Sequence, residues 1–554
     1  MDIKEQLTKI LKKELKLDFN LEVPSNPEFG DYALPCFTFS KTLKKSPNEI
    51  AKDLAKKIKS NKLIKKLEIK GPYLNIFLNK ENIISDVLKK IAKEADNYGS
   101  SNAKGKVLIE HTSINPNASP HVGRARNALI GDSVTRILKF QGYKVETHYF
   151  VNDIGKQIAM LVLGAEKKKD IQFKDLLKTY IGINKKVENN PKLEKEVFNL
   201  LHKLEAHDDE TVKRFREIVD ICIKGQSEIF SKLNIEYDVF DYESDYLWKQ
   251  ETKTVLEKLK ETGKLFTDEH GRLVLNQEGY NLAMKSPVLV LTRADKTSLY
   301  PLRDIAYTLD KINKGFERNI LVLGEDQKLY FQQLSSALDL LGHKSQEVIH
   351  YSFVLLTEGK MSTRKGTVVL LEDFMKEAVD KAKKELKKRE IGGEELENRA
   401  GAIAYSAIKY SILKVSPEKN VTFDWEHALA FEGDTGPYLQ YAYARICSIL
   451  SKHGEELDKN IDFTLLKKTE ETNLIKKLEE FPSIVKSAEE ELRPHLIATY
   501  IYSLSRLLSE FYHKCNVLKE KDKLKKARLV LIDSVRQVLK NGLNLLGIDV
   551  LERM

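Results

Sequence analysis

Cysteine is scarce in this chain, with four among 554 residues. Cys36, Cys222, Cys447 and Cys515 stand far apart, with no Cys-x-x-Cys pair and no Cys/His cluster at zinc-ligand spacing. Neither a disulfide framework nor a structural zinc is therefore expected. Long apolar runs are missing too: none reaches the roughly 18 residues of a membrane span. The lysine-rich start MDIKEQLTKILKKELK lacks the apolar core of a signal peptide. There is no internal repeat and no glycine-rich phosphate loop of the P-loop or GxGxxG kind. These absences predict a soluble, intracellular protein, cytoplasmic and without a membrane partner.

Apolar residues make up 42% of the sequence, which excludes wholesale disorder. The length accommodates about three to five domains, each able to bury a core. The net charge of +10 is concentrated in places: residues 1–100 carry 20 basic against 14 acidic side chains, and residues 514–540 nine against three. Two separated basic regions suit an extended polyanion better than a compact acidic substrate. Solvated faces of lysine-rich helices account for the same excess, so charge alone opens the question of nucleic acid without answering it.

Residues 1–100 alternate lysine-rich helical stretches with strand-like runs at Lys66–Lys70 and Tyr73–Phe77, which predicts a small α+β domain ending in a linker at 97–102. A catalytic domain is expected over 101–372. In it an apolar strand at Val107–Ile109 precedes a polar loop, a helix from about Pro120 to Gln141, a strand at Lys144–Val151 and a helix from about Gly155. This is a βαβ unit and implies a parallel sheet. Strand runs return at Val288–Thr292 and Asn319–Gly324, predicting a second βαβ half and hence a doubly wound, Rossmann-like core. The charged helical stretch 166–285, with a hairpin-like piece from Gly263 to Leu275, is expected as an insertion. Beyond Glu372 nearly everything is helix-periodic, predicting a connector over 373–410 and an all-helical bundle over 411–554.

The loop after the first strand, Glu110 to Arg124, carries the first chemical signal. Ser119 reads as a helix N-cap and Pro120 as the first helical residue, which places His121 and Arg124 on one face of the first turn. Free backbone N–H groups and the positive end of the helix dipole favour phosphate there. Gly123 leaves room for a base or ribose to approach. The second signal is Gly359-Lys360-Met361-Ser362-Thr363-Arg364-Lys365-Gly366, three cations within six residues on a loop able to cover a triphosphate as pyrophosphate leaves.

This pair resembles the His-Ile-Gly-His and Lys-Met-Ser-Lys-Ser signatures of class I aminoacyl-tRNA synthetases. The surrounding text is similar to the arginyl-tRNA synthetases in particular: Phe29–Ala33, Glu110–Asn117, Arg126–Ser133, Val151–Gln157, Arg303–Tyr307, Met361–Gly366, Gly433–Tyr441 and Leu546–Met554. The likeness runs from the N-terminal domain to the last residue. Two departures stand out. Arg124 replaces the family's second histidine, and it either contacts phosphate through its own donors or turns away to pair with a carboxylate. Thr363 replaces the class's second lysine, as arginyl enzymes commonly have it, so Lys360, Arg364 or Lys365 supplies that cation.

The resemblance implies a two-step reaction: L-arginine and ATP give arginyl-adenylate and pyrophosphate, and the arginyl group passes to the terminal ribose of tRNA(Arg). It implies ATP handled as its Mg²⁺ complex by Ser119, His121, Gly123, Arg124, Gly324, Lys360, Met361 and Ser362, with Asp326 or Glu325 taking the ribose. It assigns the guanidinium of arginine to Glu110, Asp304 and Tyr300, and the α-amino end to Asn115 and Gln327. A buried guanidinium needs carboxylate acceptors, and a lysine substrate would leave part of such an acceptor array unpaired. The resemblance further implies a monomer that needs tRNA for the first step. Its anticodon-binding bundle would contact tRNA from the helix that carries Tyr438, Gln440, Tyr441, Tyr443 and Arg445, although the spacing of the three tyrosines turns at least one of them, and more readily two, toward the core. The N-terminal domain would grip the outer corner of the tRNA. Two readings compete: an inactive paralogue that binds tRNA, and a cysteinyl-tRNA synthetase, which would need the clustered Cys/His ligands the sequence lacks.

Overall fold

The computed structural model describes residues 3–166, 170–248, 250–356, 369–388, 393–458 and 461–554. Its centre is a five-stranded, all-parallel sheet. In chain order the strands are β1 (Lys106–Glu110), β2 (Lys144–Val151), β3 (Val239–Tyr242), β4 (Arg318–Gly324) and β5 (Glu347–Tyr351). In space they run β5-β4-β1-β2-β3. The chain therefore reverses direction of winding between β1 and β4, and a crevice opens beyond the carboxyl ends of those two strands. Register fixes what lines it: Glu110 is level with Leu321 on one side and His148 on the other.

Helix α1 (Val122–Gln141) follows β1 and is enclosed on nearly every side. Gly142, at φ +105°, ends it in a left-handed turn closed by bonds to Leu138 O and Lys139 O. Helices α2 (Tyr300–Asn313) and α3 (Lys328–Leu340) flank β4. Their apolar faces, with Leu302, Ile305, Leu334 and Leu338, pack with Leu289 and Leu321 in one cluster.

The observed sheet is the doubly wound, Rossmann-like one expected, with two reassignments. The run at Val288 does not join it: Val288–Val290 pairs antiparallel with Leu273–Asn276, which pairs in turn with Leu265–Thr267. The edge strand β3 instead comes from inside the segment 166–285, otherwise made chiefly of helices Phe173–Glu188, Pro191–Glu205, Asp209–Ser231 and Glu251–Glu261. Four half-buried residues, Val-Phe-Asp-Tyr, give no alternation from which a strand is read.

The first domain is a three-stranded antiparallel sheet (Tyr32–Pro35, Ile64–Lys70, Tyr73–Leu78) under helices Ile3–Leu15 and Pro47–Lys57. At the other end, helices Gly436–His453, Thr469–Glu490, His495–Lys514 and Asp522–Leu545 form the expected bundle, and helix Gly393–Leu413, which precedes it, packs against Gly436–His453. One short strand, Val421–Phe423, interrupts the helical region and pairs in parallel with Val354–Leu356. The end of the last helix and the residues after it close on α1 and on helix Gly393–Leu413: Ser133 Oγ donates to Leu545 O at 2.8 Å, and the buried Lys409 ammonium donates to Gly547 O.

Candidate active site

The loop after β1 is backbone-strained. Thr112 and Ser113 take φ of +74° and +40°, conformations rare for side-chain-bearing residues. They are held there by Asn127 Oδ1, which accepts from Thr112 N, and by Tyr237, whose hydroxyl donates to Thr112 Oγ1 at 2.8 Å. His111 beside them is wholly buried, and burial pushes its imidazole down to about 3, so it stays neutral. The loop then brings Asn115 and Asn117 to Gln157 Oε1, at 3.4 and 3.0 Å.

Ser119 does not cap α1. The helix begins at Val122 with His121 as its N-cap residue, because Pro120–Val122 are paired with 369–371: Val122 N donates to Val369 O and Leu371 N to Pro120 O. A chain held extended by that pairing cannot begin the helix at Pro120, and Ser119 Oγ donates instead to Glu372. His121 and Arg124 still share the first turn. The space left by Gly123 is taken by the imidazole of His121, whose Cε1 and Nδ1 would lie 3.1 Å from a Cβ there, so Gly123 seats the histidine rather than a ligand. Burial first, and the charge of Arg124 second, hold the His121 imidazole below its usual pKa. Arg124 is half-buried and has no carboxylate partner among the described residues.

The second loop, with Lys360, Met361, Ser362, Arg364 and Lys365, lies outside the described residues. Its approaches are on either side of the paired strand Val354–Leu356 and the 369–371 segment that binds the start of α1. At the end of β4, a Cβ on Gly324 would fall 2.3 Å from Asp326 Oδ1, so glycine lets that exposed carboxylate fold back over the strand end. Glu325 is committed to Ser352 Oγ at 2.6 Å, which leaves Asp326 as the better placed of the two for a ribose.

Of the residues assigned to arginine, Asp304 lies within electrostatic reach of Glu110 at the end of β1. Tyr300, Asp304, Tyr307 and Lys311 repeat at helical spacing along one face of α2. Tyr300 is at the rim, 54% exposed, and stacks obliquely on Tyr330 of α3 with ring centres 5.2 Å apart. Asp304 accepts a short hydrogen bond from the Tyr330 hydroxyl. It neither caps the helix nor pairs with Arg303, whose Nε donates to Glu243 at 2.8 Å. Burial, then the charge of Glu243, push the Asp304 carboxyl up to about 7. Gln327 ends the short turn at the start of α3.

Glu110 differs from expectation. It is 8% exposed, and its Oε2 already accepts from Lys311 Nζ at 2.7 Å and from the Tyr307 hydroxyl at 2.9 Å. It is not a free acceptor for a guanidinium. Lys311 is a partner of Glu110 that sequence reasoning misses. Its one signal is its position seven residues after Asp304, two helical turns down the same face.

In the bundle, Gln440 cannot reach a ligand. It is 0% exposed, and its amide donates to Asp549 O at 2.7 Å and to Ala402 O. Its place at the fourth position beyond Gly436 turns it inward. Tyr443 is core, and Tyr438 is half-buried with its hydroxyl on Ser505 O. Tyr441 and Arg445 remain at the surface, on a groove of about 470 Å³ shared with Ser448, Lys452 and Arg553. The Arg445 guanidinium lies 3.5 Å over the Tyr512 ring.

No helix among the described residues is long and apolar enough to cross a membrane, and no group of three or more His, Cys, Asp or Glu among them could hold a metal ion. The family model described as tRNA synthetases class I (R), catalytic domain, matches residues 84–425. Those described as Arginyl tRNA synthetase N terminal domain and DALR anticodon binding domain match residues 1–78 and 439–554. The arginine–tRNA ligase of Methanocaldococcus jannaschii is 40% identical over 579 aligned positions, covering 100% of both chains. That of Archaeoglobus fulgidus is 39% identical and covers 94% of both. Among solved structures, Thermus thermophilus arginyl-tRNA synthetase superposes with a TM-score of 0.86 at 27% identity over 100% of both chains. The Plasmodium falciparum arginyl-tRNA synthetase shares the fold, with a TM-score of 0.80 at 22% identity over 100% and 99%. With the three domain types in order along one chain and the crevice between β1 and β4 at its centre, the chain belongs to the arginyl-tRNA synthetases, class I enzymes that join L-arginine to tRNA(Arg) at the expense of ATP.

Proposed function

We propose that the crevice between β1 and β4 activates arginine by positioning and charge stabilisation, with no protein nucleophile. The observation that carries this reading is the pairing of Asp304 with Tyr330 beneath the exposed ring of Tyr300. A buried carboxylate and two phenolic side chains suit a planar, five-donor cation. Asn115 and Gln327, on loops at the two strand ends, hold the α-amino group. The arginine carboxylate then faces the α-phosphorus of ATP at the start of α1, where His121, the helix N-terminus and Arg124 take phosphate oxygens. Asp326 binds the ribose. Charge that develops on departing pyrophosphate is met by the loop cations Lys360, Arg364 and Lys365 with Met361 and Ser362, and by the Mg²⁺ that accompanies ATP. The terminal ribose hydroxyl of tRNA(Arg) attacks the activated carbonyl in the second step.

The tRNA spans the molecule. Tyr441 and Arg445 take unstacked anticodon-loop bases in the bundle groove. The first domain offers a second surface, where Lys66 and Lys70 sit over the rings of Phe77 and Phe29. The enzyme works as a monomer in the cytoplasm.

Arginine-dependent ATP–pyrophosphate exchange, run with and without tRNA(Arg) and repeated with Arg124→His, tests this reading. Exchange that appears only with tRNA, with Arg124→His retaining at least about a tenth of it, supports a phosphate role that either donor fulfils. No exchange under either condition, with tRNA still bound, overturns the activation reading in favour of a tRNA-binding paralogue.

A further inference from the structure

Four carboxylates surround the inner end of the proposed arginine pocket: Glu110 on β1, Asp241 on β3, Glu243 just after β3, and Asp304 on α2. Three of them have a resident basic partner. Glu243 receives Arg303 Nε at 2.8 Å. Asp241 is 2.5 Å from His148 Nδ1 and 3.9 Å from Lys314 Nζ, and the Tyr307 oxygen lies 2.8 Å from it and 2.9 Å from Glu110, so that its one proton serves one of the two carboxylates at a time. Glu110 receives Lys311 Nζ at 2.7 Å. Among the described residues Asp304 has no ion-pair partner, only the Tyr330 hydroxyl.

Lys311 is the unusual member. It is 1% exposed, two helical turns below Asp304, with its ammonium 4.0 Å over the Tyr307 ring. An ammonium in that position is tolerated only when paired, and Glu110 is its partner. The relation runs both ways: without Lys311 the crevice would hold Glu110 and Asp304 together, both lacking a cation, and two such carboxylates cannot easily be ionised at once.

We propose that Lys311 is the resident counter-ion of Glu110 and a specificity-determining positioning residue: it neutralises that carboxylate, so the pocket presents one uncompensated negative charge, that of Asp304, to the single charge of arginine. Glu110 is then a fixed neutral-pair wall, with its Oε2 held and only Oε1 left to accept a hydrogen bond. This inference rests on the arginine pocket proposed above. The groups that face the pair from neighbouring elements are Tyr307, Asp241, His148, Lys314, Glu243, Arg303 and Asp304. All but Asp304 are engaged with one another, so removing Lys311 must be felt at Glu110 and Asp304.

The test is tRNA(Arg)-dependent exchange on the full chain, with KM for arginine and for ATP measured between about pH 6 and 9. Lys311→Met keeps the apolar stem without the charge, and Lys311→Arg keeps the charge. We expect Lys311→Met to raise the arginine KM about tenfold near neutral pH. Its pH dependence should move to higher pH, as one carboxylate of the uncompensated pair retains a proton. Kcat and the ATP KM should change less than about threefold, and Lys311→Arg should resemble the parent. The double change Lys311→Met with Glu110→Gln removes both charges, should return the pH profile to that of the parent, and serves where the single variant does not fold. An arginine KM and pH profile untouched by Lys311→Met, or equal losses in both substrates, would overturn the counter-ion role. Asp304→Asn separates the two readings: if it leaves the arginine KM unchanged, the pocket itself is misassigned, whereas a large effect beside a silent Lys311→Met removes only the counter-ion.

Discussion

Arg126 Nη1 donates to the carbonyl of Ser352 at 2.7 Å while its Nη2 donates to the carbonyl of Ser416 at 2.9 Å, and the whole side chain is 0% exposed. Its guanidinium has carbonyl oxygens but, among the described residues, no carboxylate in contact, and burial pushes it down to about 10. One side chain thereby joins the first-signature helix α1, the segment running toward the Met-Ser loop and the turn that leads into the helical bundle.

Arg126→Met should therefore leave two or three carbonyls without donors and cost about 3 kcal/mol or more of stability, read as a shifted urea midpoint. In the fraction that folds, kcat should fall while the arginine KM stays near the parent value. A change confined to the arginine KM would be incompatible with this role.

The Asp304 carboxyl, raised to about 7, gives arginine binding a pH dependence of known sign. Its folded pKa lies above the usual carboxylate value, so its protonated form is favoured by folding, and the unliganded protein loses that contribution as pH rises through 7. The arginine cation binds the ionised form and offsets the loss. The arginine KM should rise about tenfold per pH unit below 7, and the thermal shift produced by arginine should be larger at about pH 8 than at about pH 6. Asp304→Asn should flatten both curves while raising the KM itself.

Gln440 and Arg445 are five residues apart on one helix and should behave oppositely. Gln440→Ala takes the donor from the part-buried carbonyls of Asp549 and Ala402 and should cost about 1–3 kcal/mol of stability, with tRNA affinity unchanged in the folded protein. Arg445→Ala should leave the melting temperature nearly constant and weaken tRNA(Arg) binding about tenfold or more, with a shallower salt dependence. Filter binding of tRNA at two salt concentrations, beside a melting curve, distinguishes them.

Much of this architecture is legible in the sequence because its signals are local. Strand β2 is readable residue for residue, since eight residues rich in Val, Thr, Tyr and Phe are bounded by Gly142 and by a polar turn. The helix start that carries His121 and Arg124 is readable from motif and spacing to within two residues. What is not legible depends on pairing at a distance. Ser119 has the chemistry of a cap, yet the 369–371 segment, some 250 residues away, decides where α1 begins. Lys311 reads as an ordinary solvated lysine in a helix, and only the placement of β1 against α2 turns it toward Glu110. Gln440 likewise has the composition of a contact residue and the position of a strut.

The fold-back of the segment after the last helix has a consequence for the order of synthesis. Ser133 and the Leu545 carbonyl it binds are 412 residues apart. At about 5–20 residues per second, roughly 20–80 s separate their emergence from the ribosome. Throughout that interval the Ser133 hydroxyl lacks its acceptor and Gly547 is not yet packed against Asp132 and Arg136, and for the last 138 residues of synthesis before Gly547 the Lys409 ammonium lacks its carbonyl as well. The nucleotide-binding half of this enzyme is thus translated early and closed late, which leaves the nascent chain dependent on whatever shields that seam until residues 545–549 arrive.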